Sequence, residues 1–561
     1  MKFIHGLTFG VSIAVVVSCS ATSYRGADIP NGSGGGTGGG FISGSGGGTG
    51  GGTTPGCTST AQCTPGWTCD NGTCVAPEVE TNTGLGDAPP VATPRYVYAL
   101  NPTAASVARI DPTSLQIEAV PVGPRPVGLA ALPGEDAAVV LSLDDGSLSV
   151  LDSTTLPTKV TRVALKRQYA KLTVAPDGKF AAAWPDPNTA PASGAEGIFA
   201  LVDLGKVRSG ASEAVQERAG GYRITNMIFR TQAGVSTALH VFAKATVSTF
   251  DLVSGAALPA RLPLPASMSA DVSSREVVAS ADGRIIMLRS TVSPELASFD
   301  GTRIDTVPLS EIATDLDLVP DGTAAVAALR SSSSVAYIRV PADLIDPTGI
   351  ATIALDGGVV GQIALPPQVP DAGMFALVYS SVTDAESFAR IDLPSGVVTR
   401  YALEKKVGEI AISPDGRSAL IIHQANPATT ATDPYEAAVD RDQGFSVFDV
   451  ASGFWQLQRT GTTKPTRFAF SPAGGFVGVA LRDDAIKRYQ LMAVNLSSLV
   501  STTLPLASTP LFMGTVPQAP GVTPHRVFVS QDHPAGRISV IQLDTGQVRT
   551  ATGFTLNGEI E

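Results

Sequence analysis

From Arg95 onward, short runs of alternating apolar and polar residues are broken by tight turns, and the same two phrases return along the chain. The first is a strand-like run ending in an Asp-Gly turn: Leu172-Thr-Val-Ala-Pro-Asp-Gly-Lys179, Leu318-Val-Pro-Asp-Gly-Thr323 and Ile412-Ser-Pro-Asp-Gly-Arg417. Ser280-Ala-Asp-Gly-Arg284 is a shortened copy and Ser471-Pro-Ala-Gly474 a decayed one. Alternation with period two marks half-buried strands, and Asp-Gly between apolar runs predicts hairpins because Gly accepts the positive φ that the turn requires.

The second phrase is an apolar residue, two variable ones, a second apolar residue and an Asp. It ends at Asp111, Asp152, Asp203, Asp251, Asp300, Asp392, Asp449 and Asp544, with weaker copies ending at Arg339 and Asn495. These ten copies are spaced 39 to 57 residues apart, which leaves room in each unit for about four short strands. Four strands every 40–50 residues or so predict an all-β fold, a β-propeller of four-stranded blades, with a ring size of 7–10. The first unit, beginning at Arg95, lacks a recognisable innermost strand, and Asn557-Gly-Glu-Ile-Glu561 reads as a strand with nothing after it. Joining the two would close the ring and leave no free sheet edge. Two units carry insertions, Pro185 to Gly197 and Gln424 to Gln443, at loop positions where a rigid scaffold often holds binding residues.

Composition agrees with strands and turns. Charged residues make up 16% of the 561 residues, beside 58 Gly and 41 Pro. A formal net charge of −11 opposes a nucleic-acid partner, whose phosphates demand Lys and Arg. Beyond the N-terminus, no apolar run reaches the roughly 18 residues needed to span a bilayer.

The N-terminus changes the picture. Met1-Lys2 is followed by an apolar stretch, Leu7 to Val17, of signal-peptide rather than membrane-helix length. It ends in Val16-Val17-Ser18-Cys19, which resembles the bacterial lipobox. That resemblance implies removal of residues 1–18 and lipidation of Cys19, with palmitate among the acyl chains. A conventional cut near Ala21 is the competing reading. Lipidation also accounts for the cysteine count, since of five cysteines it leaves Cys57, Cys63, Cys69 and Cys74. Ser20, where a retention Asp would stand in the best-known sorting rule, implies the outer membrane by the same resemblance.

Residues 19–56 are dominated by Gly, Ser and Thr and read as a tether. Its Gly-rich part, 31–56, spans on the order of 25–30 Å as a coil. Residues 57–76 form a Cys-rich mini-module for which two disulfides are expected in an oxidising compartment, with three connectivities open. Zinc is the alternative, but only the Cys69–Cys74 interval suits paired ligands. The spacing resembles small Cys-rich repeats of bacterial surface lipoproteins. Residues 77–94 read as a second linker and 95–561 as the propeller.

The recurring phrases resemble those of the lactonase-like and surface-repeat propellers, whose units share Ser-Pro-Asp-Gly-Lys and Val-x-Val-Asp. The Tyr-Val-Thr-Asn signature of the surface-repeat group survives only as an echo in Tyr96-Val-Tyr-Ala-Leu-Asn101.

Candidate chemistry is sparse. Outside the signal segment the histidines are His240, His423, His525 and His533, all on or beside predicted strands. No Gly-x-Ser-x-Gly, His-Glu-x-x-His or Cys-x-x-Cys-His occurs. His423 precedes the second insertion, whose Asp433, Glu436, Asp440 and Asp442 are weak candidates for a hard cation, in no calcium-loop pattern. The repeated Asp residues at strand ends are expected to cap turns through their side chains. No catalytic residue, cofactor or metal is assigned. The expectation is a lipid-anchored binding or scaffold protein of the cell envelope, periplasmic or surface-exposed, that presents a propeller to a protein or glycan partner. The alternative is a lactonase-like hydrolase with its site in the channel; a quinone or haem propeller lacks any attachment motif.

Overall fold

The computed structural model describes residues 57, 62, 68–70, 73–75, 89–189, 197–255, 259–270, 272, 275–368, 373–517 and 525–554. The signal segment, Cys19, the tether, Cys63 and the Asn557–Glu561 segment lie outside the described residues.

The described body is a ring of ten blades, each an antiparallel sheet of four consecutive strands. Blade one is Val91–Ala92, Val97–Asn101, Ser106–Ile110 and Ile117–Pro121, and blade ten is Pro510–Thr515, Arg526–Gln531, Arg537–Gln542 and Gln547–Thr552. First strands of neighbouring blades touch one another, so they form the inner wall. Fourth strands, such as Lys159–Ala164 and Val397–Ala402, are largely solvent-facing and form the outer edge.

The units counted from the phrase ending in Asp correspond one to one with blades, and the phrase is always the end of the third strand. In blade two, Ser147–Asp152 contains it; in blade eight, Gln443–Asp449 does. Its two apolar residues and the alternating residues of the second strand face the neighbouring sheets. There they build ten apolar clusters, each shared by two adjacent blades. Ten interfaces for ten blades require a closed ring.

Closure differs from the expectation drawn from the chain ends. Val91–Ala92 pairs with Tyr98 and Val97 and supplies the innermost strand of blade one, upstream of Arg95. Two residues between Pro90 and Thr93 are too short to show any periodicity, which is why this strand was illegible. The first and last blades then join through side chains. Val97, Ile110, Phe528, Ile538 and Phe554 share one apolar cluster, and Arg526 Nη1 donates to Thr113 Oγ1 at 3.1 Å.

In the Cys-rich module, Thr68–Asp70 pairs with Thr73–Val75 and a disulfide joins Cys57 to Cys69. One of the three open connectivities therefore fits.

Candidate functional site

Because every blade is made of four consecutive antiparallel strands, the ring has two unlike rims. One carries the turns between first and second strands and between third and fourth. The other carries the turns between second and third strands and the connections from blade to blade. The Asp-Gly turns of the first phrase and all the recurrent Asp residues fall on the first rim.

There the Asp side chains cap turns. Asp111 Oδ1 accepts from the N–H groups of Thr113 and Ser114, Asp251 Oδ1 from Val253 and Ser254, and Asp300 Oδ1 from Thr302 and Arg303. Asp152 takes the Thr154 N–H, Asp449 that of Ser452, and Asp203 that of Lys206 at a short helix, Leu204–Ser209. In the blade that ends on Asn495, the amide oxygen takes over, accepting from Ser497 and Ser498. Where Arg339 stands, Asp343 four residues on accepts from the Arg339 N–H and pairs with its guanidinium. Asp392 and Asp544 are met by side chains instead, Arg390 and Gln542. Bonds from turn N–H groups and neighbouring hydroxyls hold the Asp152 and Asp251 carboxyls below their ordinary value, so these groups are structural anions.

The opposite rim carries both insertions. Pro185 to Gly197 joins the second and third strands of blade three, and Gln424 to Gln443 joins those of blade eight. Residues 190–196 of the former lie outside the described residues. The blades are five apart in a ring of ten, so the two insertions start from opposite sides of the ring. The first strand of blade one begins on this rim and the last strand of blade ten ends on it.

The second insertion folds onto the ring. Asp433 caps the helix Pro434–Arg441 by accepting from the N–H groups of Tyr435 and Glu436. At the other end, the buried Lys405 ammonium donates to the carbonyls of Val439 and Asp440, at 2.6 and 3.0 Å. A cation on the last carbonyls of a helix meets both the unsatisfied acceptors and the negative end of the dipole. Asp440 also accepts from the Thr429 hydroxyl, and Asp442 pairs with Arg459 at 2.6 Å.

The four carboxylates weighed for a cation are thus not brought to one point. Asp433 is an N-cap, Asp440 and Asp442 have separate partners, and Glu436 stands on the helix. Among the described residues, no group of three His, Cys, Asp or Glu side chains is gathered closely enough to hold a metal ion.

Beneath the helix lies a polar cleft of about 40 Å³ lined by Asp384, Glu386, Lys405, Lys406, Gln424, Asn426 and Asp440. That volume suits a few waters, since one needs roughly 10–15 Å³ by this measure. Burial raises the Glu386 carboxyl above its ordinary value, and the charges of Asp440 and Glu404 raise it further. Sequence reasoning missed Lys405 and Glu386. The Lys405-Lys406 doublet reads as solvated charge, and only its position under the insertion makes Lys405 a clamp.

The histidines do not meet. His423, in the second strand of blade eight, donates from Nδ1 to the Lys406 carbonyl at 3.2 Å and accepts from the Ser446 hydroxyl at Nε2, 2.7 Å. Burial lowers it to about 4. His240, in blade four, lies edge-on to Phe299 with Nδ1 3.0 Å from the Thr249 hydroxyl, and burial takes it also to about 4. His525 packs on Phe476, and His533 accepts from the Ala535 N–H in a turn of blade ten.

No family model matches the chain, and no curated protein matches it in sequence. Solved structures with similar folds include a hydrazine synthase of Kuenenia stuttgartiensis (12% identity, TM-score 0.32, covering 56% of this chain and 92% of that one). Another is a dihydro-heme d1 dehydrogenase, NirN (14%, 0.37, 77% and 78%). A third is described as a eukaryotic initiation factor (11%, 0.46, 74% and 97%). At these identities and TM-scores, none of these proteins lends its activity to this chain.

Proposed function

We propose that this chain is a lipid-anchored protein of the bacterial cell envelope that holds a protein or glycan partner on the insertion-bearing rim of its propeller. One observation carries the reading: the two insertions between second and third strands stand on the same rim, on opposite sides of the ring. The helix of the second is clamped at both ends, by Asp433 and by Lys405, so it is presented as a fixed surface with Tyr435 exposed. Fixed loops on a rigid scaffold are the usual way such folds bind partners. The lipobox-like Val16-Val17-Ser18-Cys19 and the resemblance of the repeats to surface-repeat propellers support placement outside the cytoplasm. The Gly-rich stretch would let the ring turn on its anchor.

Two measurements test it. Cys19→Ala should abolish fatty-acid labelling and release the protein from the membrane fraction; retention of label removes the anchor. A photo-crosslinker at position 435 should capture a partner in intact cells, and one at Phe454 on the opposite rim should not. Equal capture from both rims would refute the assignment.

A further inference from the structure

The turns between third and fourth strands form the outer lip of the first rim, and in four successive blades each presents one large apolar side chain to solvent. Ile345 in blade six is 69% exposed, Val397 in blade seven 55%, Phe454 in blade eight 57% and Val500 in blade nine 65%. Beside them the turns of blades seven to nine are small and uncharged: Pro394-Ser395-Gly396, Ala451-Ser452-Gly453 and Ser497-Ser498. The carboxylates among these turns are already engaged. Asp343 pairs with Arg339, Asp392 with Arg390, and Asp449 accepts from the Ser452 N–H and hydroxyl, while blade nine has the neutral Asn495. Two of the turns are also fixed from behind. A Cβ placed on Gly396 would stand 3.7 Å from Ile353, and one on Gly453 2.8 Å from Tyr401, each in the outer strand of the preceding blade.

Elsewhere on this lip the row is broken. Leu156 and Val253 hold the same place in blades two and four, but blade three between them presents Lys206 and Arg208 on its short helix, and blade five presents Arg303. Single exposed apolar residues are ordinary on a protein surface; one per blade over four adjacent blades is a pattern that calls for a contact. A row of tips carried round the curve of a rim offers points rather than a recess, so it fits a surface without relief. Apolar side chains held in this way are stable at the headgroup–acyl boundary of a bilayer. The net charge of −11 opposes an anionic surface, so the fitting headgroups are zwitterionic.

We propose that the arc of blades six to nine lies on a zwitterionic bilayer, so that the ring stands on its first rim and turns the insertion-bearing rim, with Tyr435, away from the membrane. This rests on the anchor proposed above, which keeps the ring within reach of that surface; the test does not use the anchor. The full chain carrying Cys19→Ala is floated with phosphatidylcholine vesicles. Half-maximal binding is expected at a lipid concentration on the order of 1 mM, weaker than a single acyl chain gives, because the four tips reach only the headgroup boundary. The variant Ile345→Ser/Phe454→Ser/Val500→Ser should bind at least about tenfold more weakly, and about 30% phosphatidylglycerol in the vesicles should also weaken binding. Ile486→Ser, at a turn of the opposite rim beside Asp484, Lys487 and Arg488, should bind as its parent does. All of these side chains are exposed, and an unchanged Tm checks that each variant folds. A diazirine side chain at position 454 of the same chain gives a second readout, labelling lipid at least about fivefold more than one at 486. No flotation at about 5 mM lipid, undiminished binding by the triple variant, or equal lipid labelling at 454 and 486 would overturn the proposal. Wild-type protein that carries no fatty-acid label, with flotation intact, would remove the anchor alone.

Discussion

Lowering the pH from 7.5 to 5 should destabilise the ring through two buried imidazoles, at His240 and His423. Each is neutral in the fold because burial lowers it to about 4, whereas an unfolded His titrates near 6.5. The unfolded chain therefore binds more protons than the native one between these values, and stability falls as pH falls. The contribution is fully present above about 6.5 and is lost progressively down to about 4. A difference of about 2.5 units at 1.36 kcal/mol per unit makes roughly 3 kcal/mol for each imidazole, of which about 2 kcal/mol is lost by pH 5. At His423 burial is the main reason the ring resists protonation, and the bond to the Lys406 carbonyl works the other way. The Lys405 ammonium adds its repulsion to the burial, while Nδ1 and Nε2 stay bonded to the Lys406 carbonyl and the Ser446 hydroxyl. Glu386, raised by burial, works in the opposite direction at the acidic end, because its folded form takes up a proton first. Asp152 and Asp251, lowered by their hydrogen bonds, matter only below their ordinary range. The assay is the urea midpoint at pH 7.5, 6 and 5, paired with histidine Cε1–H shifts. Wild type should lose stability steadily across that range, while the His240 and His423 signals stay in place from pH 8 to 5. His423→Gln should start less stable at pH 7.5 but lose about half as much on acidification. An unchanged slope in that variant, or titration of the His423 signal near 6.5, would refute the reasoning.

Three further outcomes follow from named contacts. Lys405→Met should leave the Val439 and Asp440 carbonyls without their cation, costing about 2 kcal/mol and speeding amide exchange across Pro434–Arg441 relative to the blade strands. Asp300→Ala removes the acceptor of two turn N–H groups and should cost about 1 kcal/mol, readable as a lower urea midpoint, whereas Asp300→Asn should recover most of it. With Cys57 bonded to Cys69, a non-reducing peptide map should show that link and a second between Cys63 and Cys74; a Cys57–Cys63 peptide would contradict the observed pairing.

Much of the ring is readable from the chain because its instructions are local and repeated. The phrase ending in Asp recurs once per blade, and the same turn chemistry serves at Asp111, Asp251 and Asp300, so counting phrases amounts to counting blades. Even the copy at Asn495 keeps the function of the Asp, since an amide oxygen accepts the same two N–H groups. The candidate site was legible only as two loop insertions. Its working parts, Lys405 and Glu386, come from the connections around blade seven, and nothing in their own neighbourhood of sequence marks them.

The sequence by itself determined the strand period, the four-strand unit and the role of the recurrent Asp, because hairpins and Asx turns depend on neighbours within a few residues. Tertiary structure alone decided that both insertions share one rim and that Val91–Ala92 completes blade one. Which rim a loop reaches depends on the strand order of the whole blade, and a two-residue strand is recognised only by the partner it pairs with, so no local periodicity encodes either.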